Sequence, residues 1–284
     1  MNSKKVDVRY NVDLSDYTTI RIGGKAKSFF NVHSVEELLE IIKRADCSFY
    51  LLGNGSNILI KDSLILKPVA KLASEFNYIR QRGADIEVGA STPLVFLLKY
   101  CSNKNLGGLE GLIGIPATLG GLLAMNASSF ETSVFTYLKE VDVIDHKTGY
   151  KTLKKEEITL GYRFSSLKDY AILGARFSLI KDSFSKDKAS EFIKAKINSQ
   201  DLDFPSCGCV FKNPPALSAG LLIDSCHLKG RKKGDAQVSY KHANFIINLG
   251  LAKYNDVDYL IKEIKEAVYK KYKVELEEEI ERWI

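Results

Sequence analysis

Residues 107–127 read Gly107-Gly-Leu-Glu-Gly-Leu-Ile-Gly-Ile-Pro-Ala-Thr-Leu-Gly-Gly-Leu-Leu-Ala-Met-Asn-Ala127 and hold six of the chain's twenty glycines. Glycine accumulates where the backbone turns sharply or approaches a ligand closely. Thr118 is placed to cap a short helix that begins at Leu119, with Gly120 and Gly121 in its first turn. Amide groups at such a helix start can bind an anion. The stretch therefore predicts either an anion-binding turn or a tightly packed, buried helix–loop unit.

The composition indicates a globular protein of two or three domains, because the chain has 284 residues. Its net charge of +6 is mild and forms no basic stripe, which fits small anionic ligands and argues against nucleic acid. The first residues lack the apolar core of a signal peptide, and no apolar run is long enough to span a membrane. Five cysteines, an odd number without an export signal, indicate reduced thiols in the cytoplasm.

A second glycine turn, Gly53-Asn54-Gly55-Ser56-Asn57, lies between predicted strands at residues 50–52 and 58–60. It lacks the third glycine and the following helix of a Rossmann fingerprint, so a Rossmann site is excluded here. Exposed amide groups of such a turn can bind an anion. An ordinary β-turn between two strands explains the same residues equally well.

Helix and strand signals occur along most of the chain. Ser34 and Glu37 form a capping box, and Thr92 and Pro93 are predicted as the N-cap and first residue of a helix. Ser218 is predicted to cap another helix. The predicted helices are 35–44, 94–102, 186–196, 219–226 and 256–272, and a strand is predicted at 209–211. Domain boundaries are expected near Pro68 and after Ile180.

Two groups of residues could carry chemistry. Arg163, beside a tyrosine in a strand-end loop, could bind a carboxylate, although a surface arginine is the simpler interpretation. Cys207, Cys209, Cys226 and His227 could ligate a metal, but their spacing does not match that of structural zinc sites. We therefore expect no metal, and buried inert cysteines remain the alternative.

Seven stretches, in order over nearly the whole chain, together resemble the UDP-N-acetylenolpyruvoylglucosamine reductase family. They are Thr19-Ile-Arg-Ile-Gly-Gly24, Gly53-Asn-Gly-Ser-Asn57, Gly108-Leu-Glu-Gly-Leu-Ile-Gly-Ile-Pro-Ala-Thr-Leu-Gly-Gly121, Gly161-Tyr-Arg-Phe-Ser165, Pro205-Ser-Cys-Gly-Cys-Val-Phe-Lys-Asn-Pro214, Val238-Ser-Tyr-Lys-His-Ala-Asn-Phe245 and Leu276-Glu-Glu-Glu-Ile280. Each is weak by itself, but seven in order are specific. The short link between residues 179 and 209 resembles the shorter, second type of this family.

The resemblance implies an α+β fold with a two-subdomain FAD-binding region of the vanillyl-alcohol-oxidase (PCMH) type and a C-terminal α/β substrate domain. The expected domains are FAD-binding subdomain 1 at residues 1–68, FAD-binding subdomain 2 at 69–180 and the substrate domain at 181–284. The implied enzyme is cytoplasmic and uses FAD and NADPH to reduce UDP-N-acetylglucosamine enolpyruvate to UDP-N-acetylmuramate for peptidoglycan. No protein partner is implied.

The resemblance also assigns roles to residues of this chain. Arg163 and Glu279 correspond to the pair that stabilises the enolate, and Cys209 takes the place of the proton donor. Residues implied in FAD binding are Gly53, Asn54, Gly55, Ser56, Asn57, Gly114, Ile115, Pro116, Thr118, Gly120, Gly121 and Asn126. Residues implied in binding the substrate's diphosphate and carboxylate are Lys196, Lys212, Asn213 and Tyr240.

Two departures from the family pattern bear on these roles. The family usually has serine where this chain has Cys209, and a thiol is also able to donate a proton. Glu279 lies in Glu-Glu-Glu-Ile, so Glu277 and Glu278 are alternative positions for the acidic residue. Two other functions are alternatives: an FAD-dependent oxidase of the same superfamily, and a non-catalytic flavin- or nucleotide-binding protein. The C-terminal matches disfavour the first, and the combination of Arg163, Cys209 and Glu279 disfavours the second.

Overall fold

The computed structural model describes residues 6–44 and 48–284. Its strands are β1 (Asp7–Asp13), β2 (Lys25–Val32), β3 (Tyr50–Leu51), β4 (Ile58–Ile60), β5 (Val69–Leu72), β6 (Ile79–Arg82), β7 (Asp85–Gly89), β8 (Leu106–Gly107), β9 (Ser128–Ser129), β10 (Thr132–Ser133), β11 (Leu138–Asp145), β12 (Gly149–Lys154), β13 (Leu160–Gly161), β14 (Phe164–Ser165), β15 (Ala171–Phe177), β16 (Ile180–Lys181), β17 (Ser206–Cys209), β18 (Lys232–Lys233), β19 (Ala236–Val238), β20 (Phe245–Asn248) and β21 (Glu281–Trp283). Its α-helices are α1 (Val35–Arg44), α2 (Leu94–Asn103), α3 (Leu119–Ala124), α4 (Lys186–Ser199), α5 (Ala219–Ser225) and α6 (Tyr254–Tyr272).

The chain forms two compact units, each built from discontinuous segments. Unit 1 comprises the described residues within 1–10, 28–54 and 67–194, and unit 2 comprises residues 11–27, 55–66 and 195–284. The division into residues 1–68, 69–180 and 181–284 stays a prediction. Among the described residues, none of the helices combines the length and apolar character needed to cross a membrane.

Unit 1 contains a five-stranded antiparallel sheet in the order β12-β11-β15-β7-β6. β15 lies between β11 and β7, and all of its residues except Arg176 are buried, which explains its nearly continuous apolar sequence. β12 at the edge alternates between half-buried and exposed residues, as expected for a strand with one solvated face. The core of unit 1 is packed between this sheet and helices α2 and α3.

A smaller parallel arrangement in unit 1 joins β2, β5 and β3. Helix α1 follows β2, and its predicted start is confirmed: the Ser34 hydroxyl accepts from the Glu37 N–H at 3.2 Å. The Glu37 carboxylate accepts from the His33 N–H at 2.7 Å, one residue before the expected partner. The bond to Ser34 satisfies an amide group that the first helical turn leaves without a partner, and the bond from His33 fixes the chain just before the helix.

The other predicted helix starts have different outcomes. Thr118 caps α3 and Ser218 caps α5, as predicted, with hydroxyls that accept from Gly121 N–H at 3.4 Å and Leu221 N–H at 3.3 Å. The prediction for α2 was wrong, because Pro93 is itself the N-cap and Thr92 is buried. The Thr92 hydroxyl instead donates to the Tyr78 carbonyl at 3.1 Å.

Unit 2 is built on an antiparallel sheet in the order β17-β20-β19-β18. Helix α6 covers it with an apolar face, which includes the buried residues Leu260, Ile261, Ile264 and Val268. The edge strand β18 is only Lys232 and Lys233, both exposed, and charged edges discourage pairing with other chains.

Unit 2 also depends on one buried amide side chain. Asn244 is only 3% exposed, and its Oδ1 accepts from the Phe211 N–H at 2.9 Å while its Nδ2 donates to the Phe211 carbonyl at 2.8 Å. The Asn244 carbonyl accepts from the Val210 N–H at 2.9 Å. Asn244 therefore continues the hydrogen bonding beyond the end of β17. Its backbone carbonyl serves Val210, and its side-chain amide serves Phe211 in place of a strand partner.

We predict that Asn244→Ala destabilises the protein by about 3 kcal/mol, because it leaves a buried N–H and a buried carbonyl without partners. Equilibrium denaturation with urea would measure the loss. Asn198→Ala, on the exposed surface of α4, is the matched control and should change stability by less than about 0.5 kcal/mol. Equal stability of the two variants would show that the Asn244 bonds contribute little.

Candidate functional site

The two glycine turns meet within unit 1. The Asn54 side-chain amide donates to the Pro116 carbonyl at 2.7 Å, which ties the turn after β3 to the turn before α3. A Cβ added to Gly53 would lie 3.0 Å from the Thr118 hydroxyl oxygen, which is tighter than an ordinary contact. The close approach of these two turns explains why the sequence places glycine at 53.

The turn before α3 has its own requirements for small residues. Gly114 has a φ of 79°, in the left-handed region that favours glycine. A Cβ on Gly120 would lie 3.3 Å from the Ala90 carbonyl oxygen, which already accepts from the Gly120 N–H at 2.8 Å. Ile115 and Pro116 carry the chain from this turn towards Thr118. The turn and helix start therefore pack closely against the strand end at residue 90.

One cation beside these turns was not predicted from the sequence. Lys71, in β5, donates from Nζ to the Gly53 carbonyl at 2.5 Å. Burial lowers the pKa of Lys71, and a nearby anion would favour its charged form. The only sequence signal is a lysine inside an otherwise buried strand, Val-Ala-Lys-Leu.

These features fit a bound FAD, whose pyrophosphate is an anion. Unit 1 offers two adjacent glycine turns, which approach each other so closely at Gly53 that a side chain there would crowd Thr118, and the Lys71 ammonium group beside them. Gly55 and Asn57 belong to unit 2, where a Cβ on Gly55 would lie 2.0 Å from the Tyr17 carbonyl oxygen. The Gly55 carbonyl accepts from the Thr19 N–H at 3.1 Å, so the first matched stretch packs on this turn. Ser56 lies between these two residues.

Arg163 lies in a two-residue turn of unit 1, between β13 and β14. Its φ is 54°, an uncommon value for a residue with a side chain. Its Nη1 donates to the Ser128 hydroxyl at 2.9 Å and to the Ser128 carbonyl at 3.1 Å. Its guanidinium carbon lies 5.5 Å from the centroid of the Tyr162 ring. The arginine is therefore built into unit 1 and is not a loose surface side chain.

Asn126 supports the same turn. Its Nδ2 donates to the Gly161 carbonyl at 2.9 Å, and its Oδ1 accepts from the Ser133 hydroxyl at 3.1 Å. Contact of Asn126 with the cofactor stays a prediction.

In unit 2, the segments that carry Cys209 and Glu279 are paired. The Glu279 N–H donates to the Val210 carbonyl at 2.8 Å, and the Lys212 N–H donates to the Glu277 carbonyl at 2.9 Å. The Asn57 side-chain amide donates to the Glu279 carbonyl at 2.9 Å. Three segments that are distant in sequence thus come together around these two candidate catalytic residues.

The three consecutive glutamates have different surroundings. Glu277 is 72% exposed and pairs with Lys212. The Glu278 carboxylate binds Lys265 Nζ and Arg282 Nε, each at 2.6 Å. Partial burial alone would raise the pKa of Glu278, but hydrogen bonds from Arg282 and Lys265 keep it below its ordinary value. Glu278 is therefore committed to ion pairs within unit 2, which favours Glu279 as the acidic residue of the site.

The two cysteines of β17 do not share a face of the strand. Cys207 is only 1% exposed and belongs to the core of unit 2, and burial raises its pKa to about 12. Cys209 is half-buried. The register shifts between Ser206 and Cys209, and Gly208 has a φ of 75°. This irregularity gives the two thiols different surroundings. The strand ends at Cys209 and does not extend to Phe211 as predicted.

The predicted substrate-binding residues all lie in unit 2. Lys196 is buried in α4, with 8% of its surface exposed. The Lys212 ammonium group binds Glu277, and the Asn213 Oδ1 accepts from the Ala219 N–H at 3.0 Å, at the start of α5. Tyr240 is 68% exposed, and its ring packs over Gly230. Their contacts with substrate stay predictions.

The zinc alternative receives no support from the described residues. Across residues 6–44 and 48–284, no three histidine, cysteine or acidic side chains form a group that could ligate a metal ion. Cys226 is half-buried, and Cys207 is enclosed by apolar residues.

Two regions of the sequence, which together cover most of the chain, match known protein families. Residues 200–283 match the UDP-N-acetylenolpyruvoylglucosamine reductase C-terminal domain, and residues 26–154 match an FAD binding domain. The chain is 33% identical to the UDP-N-acetylenolpyruvoylglucosamine reductase of Fusobacterium nucleatum, with 95% of this chain and 97% of that protein covered. It is 37% identical to the reductase of Thermotoga sp. strain RQ2, with 98% and 94% covered.

A solved structure gives the same result. The UDP-N-acetylenolpyruvylglucosamine reductase of Thermus caldophilus superposes with a TM-score of 0.85 at 36% identity, and 99% of each chain is covered. The predicted α+β fold is confirmed, with an FAD-binding domain followed by the C-terminal domain of the reductase family. The vanillyl-alcohol-oxidase type of the FAD-binding region and the substrate-binding role of the C-terminal domain stay predictions. The protein is an FAD-dependent oxidoreductase, and the chain belongs to the UDP-N-acetylenolpyruvoylglucosamine reductase family.

Proposed function

We propose that the protein uses NADPH to reduce UDP-N-acetylglucosamine enolpyruvate to UDP-N-acetylmuramate, a step in the synthesis of peptidoglycan precursors. The relatives named above are reductases of the enolpyruvyl sugar. The observation that best supports the proposal is the pairing of the Cys209 and Glu279 segments in unit 2, through the Glu279 N–H and the Val210 carbonyl.

The reaction adds a hydride and a proton across a carbon–carbon double bond. A bound FAD, held by Gly53 and the turn before α3, would supply the hydride transfer that links NADPH to the terminal carbon of the enolpyruvyl group. Negative charge then spreads from the adjacent carbon onto the substrate carboxylate, and cationic or hydrogen-bonding groups lower the energy of that enolate. The planar guanidinium of Arg163 can bind both carboxylate oxygens, and Glu279 completes the stabilising pair by its family position.

The adjacent carbon then needs a proton, which we assign to the Cys209 thiol. A thiol is a stronger acid than an alcohol, so cysteine can replace the serine of the family in this step. Cys209 is half-buried and can be reached by a substrate, whereas Cys207 is enclosed in the core. The proton moves from sulfur to carbon, and the resulting thiolate regains a proton from solvent. Lys196, Lys212, Asn213 and Tyr240 are proposed to bind the diphosphate and sugar.

The purified protein should be yellow and should release its FAD on denaturation. It should oxidise NADPH rapidly only when UDP-N-acetylglucosamine enolpyruvate is present. UDP-N-acetylglucosamine, which lacks the enolpyruvyl group, is the matched control and should leave NADPH oxidation at its background rate. Protein that takes up no FAD, or that does not respond to the enolpyruvyl sugar, would refute the proposal.

Arg163→Lys should slow reoxidation of the flavin by substrate far more than its reduction by NADPH. Lysine keeps the charge but loses the planar pair of donors that suits a carboxylate. Stopped-flow absorbance can follow each half-reaction separately. Equal slowing of both half-reactions would indicate that Arg163 supports the structure and does not act on the substrate.

Cys209→Ala should leave reduction by NADPH unchanged and should slow reoxidation by substrate roughly 10²- to 10⁴-fold, the usual contribution of a general acid. Cys209→Ser should recover much of this rate, because a hydroxyl in the same place can donate a proton. Cys207→Ala is the control, and it should lose stability but keep reoxidation close to the normal rate. A Cys209→Ala enzyme with normal reoxidation would show that the proton comes from another group.

A further inference from the structure

We infer that Ser128 is a positioning residue that orients the Arg163 guanidinium for the carboxylate of the substrate. The inference rests on the proposed function, because it takes Arg163 as the group that stabilises the enolate. Ser128 was not among the residues predicted from the sequence, and its role follows from contacts within unit 1.

Arg163 must be constrained by its surroundings if its guanidinium is to act on the substrate. With a φ of 54°, its backbone is in a left-handed conformation that is uncommon for a residue with a side chain. The side chain is also long and would otherwise sample many rotamers. A precise role for the guanidinium therefore requires contacts beyond the turn itself.

Ser128 supplies two such contacts to one nitrogen. Its carbonyl and hydroxyl oxygens accept from Arg163 Nη1 at 3.1 and 2.9 Å. A guanidinium is rigid and planar, so fixing one nitrogen by two bonds restricts the plane of the whole group. Hydrogen bonds to a charged donor are also stronger than neutral ones.

Ser128 is itself fixed by a short hairpin. Strand β9 pairs with β10, with Ser128 opposite Ser133, and the turn residues Phe130 and Glu131 both have positive φ values, of 47° and 58°. The Phe130 ring stacks on the Phe192 ring of α4, with centroids 4.3 Å apart and an interplanar angle of 17°.

The base of this hairpin packs on the glycine-rich stretch. A Cβ on Gly111 would lie 2.3 Å from the Thr132 hydroxyl oxygen and 2.8 Å from the Ser129 carbonyl oxygen. The glycine thus allows the hairpin to approach closely. Ser133 also reaches Asn126, whose amide binds the Gly161 carbonyl on the other side of the Arg163 turn. The hairpin therefore binds the Arg163 side chain directly and supports its backbone turn through Asn126.

The test uses the holoenzyme and five variants. Ser128→Ala removes the hydroxyl but keeps the carbonyl contact, and Ser128→Thr restores a hydroxyl. Ser129→Ala is the matched control on the next residue of the same strand. The fourth variant combines Ser128→Ala with Arg163→Lys, and Arg163→Lys alone completes the cycle. Stopped-flow measurements give both half-reactions, and thermal unfolding gives the stability of each variant.

We expect Ser128→Ala to slow reoxidation by the enolpyruvyl sugar roughly 10- to 100-fold, as for the loss of a hydrogen bond to a charged group. Reduction by NADPH and the melting temperature should stay close to those of the unmodified enzyme. Ser128→Thr should recover most of the rate, and Ser129→Ala should behave normally. In the Arg163→Lys background, Ser128→Ala should have little further effect, because the group that it orients is gone.

Three results would overturn the inference. The first is normal reoxidation by Ser128→Ala while the unmodified enzyme reduces the substrate, which leaves the proposed function intact. The second is a slowing by Ser128→Ala that is as large in the Arg163→Lys background as in the unmodified enzyme, or that affects both half-reactions equally. Either outcome would indicate that Ser128 has a general structural role. The third is an unmodified enzyme that does not reduce the enolpyruvyl sugar, which would refute the proposed function as well.

Discussion

The return of the C-terminal tail to two earlier segments is the constraint on which unit 2 depends. Residues 277–283 make backbone bonds to Asn57 and Lys61 on one side and to Val210 and Lys212 on the other. Strand β21, at residues 281–283 of this tail, pairs in parallel with β4. Buried amide and carbonyl groups must find partners, so this double pairing sets the register of the tail against the strand end that carries Cys209.

That register decides which glutamate is available to the site. A slip by one residue would exchange Glu278 and Glu279, and it would break the ion pairs of Glu278 with Lys265 and Arg282. Arg282 also binds Asp258 on α6, so the tail is fixed by charge as well as by backbone bonds. Removing one partner from such a network leaves a partly buried charge behind. The ion pairs and backbone bonds together fix the register in which Glu278 is used for ion pairs and Glu279 remains the candidate for the proposed site.

The sequence predicted local features well and spatial ones less completely. Capping by Ser34, Thr118 and Ser218 depends on neighbouring residues alone, and all three were confirmed. The start of α2 was missed because the Thr92 hydroxyl binds the Tyr78 carbonyl, a partner contributed by tertiary structure. Lys71 and Ser128 were missed for the same reason, since nothing near them in sequence shows which groups they contact.

The strand that carries the two cysteines shows how one backbone residue can decide the chemistry of its neighbours. Regular alternation would give Cys207 and Cys209 the same surroundings. The left-handed conformation of Gly208 shifts the register, so that Cys207 enters the apolar core while Cys209 keeps part of its surface exposed. Burial raises the pKa of Cys207 to about 12, which makes that thiol a poor proton donor as well as an inaccessible one. A residue with a Cβ at 208 would resist this backbone conformation. The glycine between the cysteines therefore allows one thiol to pack in the core and leaves partly exposed the other, which we propose as the proton donor.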